Sequence, residues 1–180
     1  IAAITNNDPT WGVAGVAGGW NDGTTGSPAN GVKIMTLRIG YQTRRGGVVY
    51  MDYAAEAMFY VATIVEKGVN VAAINCSWGS SSYGSMPAAV DNLLAHDVMI
   101  IVAAGNSNSS TPDYLGLRDD CLDVGATDKT GTPPTWTNYG DWVDVAAPGV
   151  EILSTFHNSD DPTYDYISLM DGTSMSCPHV

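Results

Sequence analysis

The side chain in this 180-residue sequence with the clearest chemical potential is Ser174, in the closing run Asp171-Gly172-Thr173-Ser174-Met175-Ser176-Cys177-Pro178-His179-Val180. It stands two residues after a glycine and four before a proline, behind an extended apolar segment. Pro178-His179-Val180 reads as the first turn of a helix, where a proline loses no hydrogen bond. A hydroxyl at a helix start lies beside unpaired N–H groups and the positive end of the helix dipole, which favour the oxyanion formed when a serine attacks a carbonyl. The commoner role of a lone serine is to cap a helix, and the rest of the chain decides between the two.

A second candidate is Asn106, in Ala103-Ala104-Gly105-Asn106-Ser107. Its side-chain amide is a neutral, fixed donor suited to an oxyanion, although a turn asparagine in a left-handed conformation fits the same residues. A third stretch, Ser77-Trp78-Gly79-Ser80, leaves another apolar run. No histidine fits as a general base for Ser174. His96 ends a helical pattern, His157 lies in a polar loop, and His179 is five residues past the serine on the same helix start.

The elements that must position these groups follow from hydrophobic periodicity. Residues 32–39 alternate as a strand does, and Gly46-Gly47 marks a bend. Residues 50–67 carry apolar side chains at helical spacing and stop at Gly68, a helix C-cap. Residues 69–77 form a buried strand, 86–96 a second helix, 98–104 the most apolar strand and 121–127 another. Strands alternating with helices at this spacing predict an α/β fold, a three-layer parallel sheet with helices on both faces. Ligands bind such sheets beyond the carboxyl ends of the strands, where the 77–80 and 103–107 loops emerge. The glycine-rich stretch 11–30 lacks the pattern of a phosphate loop and reads as a surface excursion.

Composition narrows the classes further. At 44% hydrophobic and 14% charged the chain is globular. A net charge of −12 argues against nucleic acid and against an anionic membrane surface as partners. No apolar run reaches the roughly 18 residues of a membrane span. Cys76, Cys121 and Cys177 lack zinc spacing and read as small buried hydrophobes.

Gly172-Thr173-Ser174-Met175-Ser176-Cys177-Pro178-His179-Val180 resembles the active-serine motif of the subtilisin-like serine peptidases, the subtilases. Ala103-Ala104-Gly105-Asn106, Ser77-Trp78-Gly79 and the segment Asp144-Val145-Ala146-Ala147-Pro148-Gly149-Val150 also resemble family segments, in the family's order. The resemblance implies a subtilisin-like fold, a protein or peptide substrate, a secreted monomer, and acyl-enzyme chemistry with Ser174 as nucleophile and Asn106 in the oxyanion hole. Ser77, Trp78, Gly79, Ala104 and Gly105 would bind the substrate backbone. The triad aspartate and histidine would precede Ile1, so residues 1–180 would be one partial catalytic domain, cut at both ends. The resemblance also implies a structural calcium site at Thr5, Asn7, Trp11 and Val13, in a loop with extra residues around Asp8-Pro9. It places Asp113, just before Tyr114, at the base of the pocket for the side chain preceding the cleaved bond. A carboxylate there would favour Lys or Arg. Two other readings remain at this point: an inactive binding domain on a peptidase scaffold, and an α/β-hydrolase esterase, which wants the second glycine that Gly172-Thr173-Ser174-Met175-Ser176 lacks.

Overall fold

The computed structural model describes residues 15–17, 32–44, 46–156 and 166–180. Its centre is a four-stranded sheet in the order β3–β4–β5–β6, formed by Ala73–Cys76, Met99–Ala103, Leu122–Thr127 and Val145–Pro148. All three pairings are parallel, with Ile74 opposite Ile100, Val102 opposite Asp123 and Gly125 opposite Ala146. Two antiparallel hairpins flank it: β1 (Gly40–Thr43) with β2 (Gly46–Val49), and β7 (Ile152–Phe156) with β8 (Tyr166–Met170).

β4 shows why the fold has three layers. Successive side chains on a strand point to opposite faces, and β4 is apolar on both. Ile100 and Val102 are buried against α1 (Met51–Glu66) and α2 (Met86–Leu94). Ile101 and Ala103 pack on the other face with Val124, Ala147 and Cys177, under α3 (Thr173–Ser176). The helices bury matching faces: Ala54, Ala55, Met58, Val61 and Ala62 on α1, and Met86, Ala89, Val90 and Leu93 on α2. Those spacings of three and four make one stripe of a helix. α1 ends as the sequence predicts: Gly68 has φ +87° and its N–H donates to the Val65 carbonyl at 2.8 Å.

Residues 32–39 correct the sequence reading. Their alternation predicts a strand, but they pair with no strand among the described residues. Leu37 and Ile39 do lean on the main core, and the Ile39 carbonyl accepts the Tyr50 N–H at 3.0 Å. Alternation reports which side of an extended segment is covered, whereas a strand also needs a partner for its backbone. Here Val32, Ile34 and Met35 remain exposed.

Candidate active site

Two segments that leave strands at their carboxyl ends, after β3 and β4, converge on the β8–α3 junction. The β7–β8 hairpin feeds the chain into Gly172, whose N–H donates to the Gly149 carbonyl at 2.8 Å just past β6. Gly172 adopts φ 152°, ψ 154°, a conformation that strains a residue with a side chain. This turn starts α3 at Thr173, earlier than the sequence predicts. Pro178 instead lies in a 3₁₀ turn over Cys177–His179. Ser174 is therefore in the first turn of α3, where its N–H has no carbonyl four residues back within the helix. With four α-helical residues, α3 contributes single N–H donors more than a macrodipole.

Asn106 is oriented by Thr173. The Thr173 N–H and hydroxyl both donate to Asn106 Oδ1 at 2.9 Å, and Thr173 Oγ1 accepts the Gly105 N–H at 2.9 Å. Two donors on one end of an amide identify that end as oxygen. The Nδ2 group is thereby turned the other way, exposed and without a hydrogen-bond partner among the described residues. Asn106 Nδ2 and the Ser174 nitrogen lie 3.5 and 3.7 Å from the point a Cβ on Gly172 would occupy. Two N–H donors thus flank the same small space beside the serine.

The serine is held loosely. Its hydroxyl donates to the Ser77 carbonyl at 3.3 Å, and the Ser77 hydroxyl donates back to the Ser174 carbonyl at 3.0 Å. The first bond lies at the long end of the range, so the hydroxyl is available to a stronger acceptor. Trp78, Gly79, Ala104, Gly105, Asn106, Asp113 and Ser174 line one cleft of about 240 Å³. All eight predicted catalytic and substrate-binding residues therefore meet, Ser77 through its bonds to Ser174. Thr5, Asn7, Trp11 and Val13 lie outside the described residues.

Asp113 does not point to solvent. Its Oδ2 accepts the Ser80 N–H at 2.7 Å, and its Oδ1 accepts the Ser80 hydroxyl at 2.7 Å and the Gly116 N–H at 3.3 Å. The carboxylate thus ties the 77–80 loop to the 3₁₀ turn at Leu115–Leu117.

Asn138 is a residue of the cleft lining that the sequence did not disclose. Its Nδ2 donates to the Ala104 carbonyl at 2.8 Å, and its Oδ1 accepts the N–H groups of Ser107 and Ser109 at 2.9 and 3.0 Å. It clamps both sides of the Asn106 turn across 29 to 34 residues of sequence. Gly105, at φ +102°, leaves room for it, since a Cβ there would sit 2.5 Å from Asn138 Nδ2. No local motif marks this asparagine, because its partners are remote in sequence.

Among the described residues, the cysteines and histidines stay out of the cleft. Cys76, Cys121 and Cys177 are free and buried. Burial pushes the Cys121 and Cys177 thiols up to about 12 and 11, so neither offers a thiolate. His179 Nδ1 is bonded to the Met175 carbonyl at 2.8 Å, and His96 lies at the end of α2. His157 lies outside the described residues.

Comparison with known proteins identifies the family that the chain resembles. The Subtilase family profile covers residues 10–180. The chain is 34% identical over 169 residues to the thermophilic serine proteinase of Bacillus sp. (strain AK1), covering 93% of the chain and 39% of that protein. It is 34% identical over 154 residues to cerevisin of Saccharomyces cerevisiae, covering 84% of the chain and 24% of that protein. A crystal structure of a cold adapted subtilisin-like serine proteinase superposes with a TM-score of 0.60 at 25% identity, covering 74% of this chain and 46% of that one. The chain spans less than half the length of these relatives. With the family profile matched over nearly all its residues, the chain belongs to the subtilase family.

Proposed function

We propose that the intact protein carrying this chain is a serine endopeptidase with Ser174 as nucleophile. The supporting observation is the convergence of the Ser174 hydroxyl, the Ser174 N–H and the outward-turned Asn106 amide on one cleft. In this reading a histidine from outside the chain removes the hydroxyl proton. Oγ then bonds to the peptide carbonyl carbon, and the carbonyl π electrons move to oxygen, where Asn106 Nδ2 and the Ser174 N–H donate to them. Collapse expels the amine, which takes the proton from the histidine. Water repeats the sequence on the ester and frees the serine.

Asp113 belongs to the same proposal as the base of the specificity pocket. Its donors are neutral hydroxyl and N–H groups, and the ion pairs among the described residues are His96–Glu66, Arg118–Asp91 and Arg118–Asp120. Its negative charge is solvated but not cancelled, which suits a Lys or Arg side chain. Calcium enters only as a structural ion at Thr5, Asn7, Trp11 and Val13, and a thermal midpoint indifferent to a chelator would remove it. Secretion and a monomeric state are carried on family likeness. Among the described residues no helix is long and apolar enough to cross a membrane.

The test is Ser174→Ala in the intact protein. Peptide hydrolysis and labelling by a phosphonyl reagent should both disappear while the circular dichroism spectrum is unchanged. Labelling that persisted on another serine would refute the assignment.

A further inference from the structure

Behind the cleft lies a carboxyl group that the proposed chemistry leaves unused. Asp123, the second residue of β5, is 2% exposed, and its Oδ1 has no hydrogen-bond partner among the described residues. A buried carboxyl oxygen without a donor is costly, and an apolar residue would suit this strand position better. What separates it from the cleft is Gly116. The Gly116 N–H donates to Asp113 Oδ1, and a Cβ on Gly116 would lie 3.1 Å from Asp123 Oδ1. One residue without a side chain therefore stands between the carboxylate that lines the cleft and the carboxyl buried behind it. Pro112 and Trp142 crowd the same Cβ position, at 3.0 and 3.2 Å.

We infer that Asp123 is a second specificity-determining acid, whose charge reinforces that of Asp113 and strengthens selection of a cationic substrate side chain. This rests on the reading of Asp113 as the pocket base. Selection then depends on pH. Burial, then Asp144, then Asp113, push the Asp123 carboxyl up to about 7. The other titratable groups around it are Asp144, the cysteine thiols and Arg118. Asp144 Oδ2 accepts the Asp123 N–H at 2.8 Å and is one of the charges that raise it. The Cys121 and Cys177 thiols are raised well above neutrality. Arg118 is engaged by Asp120 and Asp91, and β4 presents Val102 opposite. Below neutral pH a substrate cation meets one negative charge, and above it meets two. The coupling is reciprocal: a cation that lowers the Asp123 pKa by one unit binds about tenfold more tightly once Asp123 is ionised.

The experiment measures kcat/KM of the intact protein on two matched peptides, with Arg or Leu before the cleaved bond, from acid to alkaline pH. The Arg/Leu ratio cancels every ionisation that both substrates share, including that of the general base. The ratio should rise about tenfold with a midpoint near 7. Asp123→Asn should hold the ratio at its acid-limit value with Arg still preferred, while Asp113→Asn should lower it at every pH. A constant Arg preference in the wild type, or a rise that survives Asp123→Asn, would overturn the role of Asp123 and leave Asp113 standing. No Arg preference at any pH would overturn the Asp113 reading itself. Should Asp123→Asn fail to fold, Asp123→Leu, which removes the carboxyl and leaves no polar atom to bury, takes its place with the same expected and overturning outcomes.

Discussion

The two faces of β4 are held by different physics. On the α1–α2 face, Ile100 and Val102 meet Met58, Val61, Met86, Val90, Leu93 and Leu115, all buried, in a core that asks for apolar volume. On the α3 face the apolar cluster is small: Ile101, Ala103, Val124, Ala147 and Cys177. What holds α3 in place is polar. Thr173 and Ser176 are fully buried, and bonds such as Thr173 to Asn106 and Ser77 to Ser174 span 67 and 97 residues of sequence. Volume can be supplied by many side chains, whereas a donor aimed at one point can be supplied by few. Substitutions on the first face should therefore read out in stability, and on the second in rate.

Leu93→Ala makes the largest expected break. Leu93 is fully buried on α2, and truncation of such a leucine costs about 2–5 kcal/mol. Denaturant unfolding of the intact protein would measure it. Activity per folded molecule should stay within twofold, and a tenfold loss would mean that the two faces are not separable.

Asn106→Asp is the matching experiment on the other face. It retains the oxygen that accepts both Thr173 donors and replaces the N–H₂ group with a second carboxylate oxygen, which removes the donor and adds a negative charge. A loss of at least about 10²–10³ in kcat is expected, the figure established for the oxyanion asparagine of a subtilisin. The unfolding midpoint should hardly move. Equal losses of rate and stability would make Asn106 a structural turn residue.

These two faces differ in how far the sequence discloses them. The apolar run through Ile100 and Val102, and the spacing along α1 and α2, reveal the sheet and its main core because periodicity is a local property. Ser174 and Asn106 are legible because each sits in a long motif. Residues 32–39 mislead because alternation is silent about backbone partners. Asn138 is invisible for a related reason, since its bond to Ala104 spans 34 residues, and Asp123 because an isolated acid in an apolar strand pattern does not show that it will be buried against Gly116. Asp113 is half legible. Its place in the cleft follows from the family pattern, but its grip on Ser80 does not.

Gly105→Ala tests one of those hidden contacts at intermediate size. The methyl group must take φ +102° and would press on Asn138 Nδ2. Strain of this kind costs about 1–3 kcal/mol. Because Asn138 clamps the Asn106 turn, kcat should fall along with stability, unlike in Leu93→Ala. Full activity in a destabilised variant would show that the clamp does not position Asn106.

The smallest effect is expected at His96, on the periphery of the α1–α2 face. Its Nδ1 lies 2.7 Å from the Asn92 carbonyl and its Nε2 lies 3.0 Å from Glu66 Oε1, so both ring nitrogens face acceptors. Only the doubly protonated ring donates to both. The Asn92 carbonyl first, and then Glu66, raise the His96 pKa above its ordinary 6.5, against a smaller opposing effect of burial. A folded-state value raised in this way adds stability that is complete below the unfolded-state value and is lost as pH rises through the folded one. His96→Gln should therefore lower the melting temperature more at pH about 5.5 than at about 8.5. The shift should be slight and should shrink with salt, because Glu66 is 62% exposed. The Arg/Leu selectivity profile should not change, since this pair lies on the other side of the sheet from Ser174. A melting-temperature difference independent of pH would show that the pair does not titrate as its geometry implies. A changed selectivity profile would show that the faces of β4 communicate.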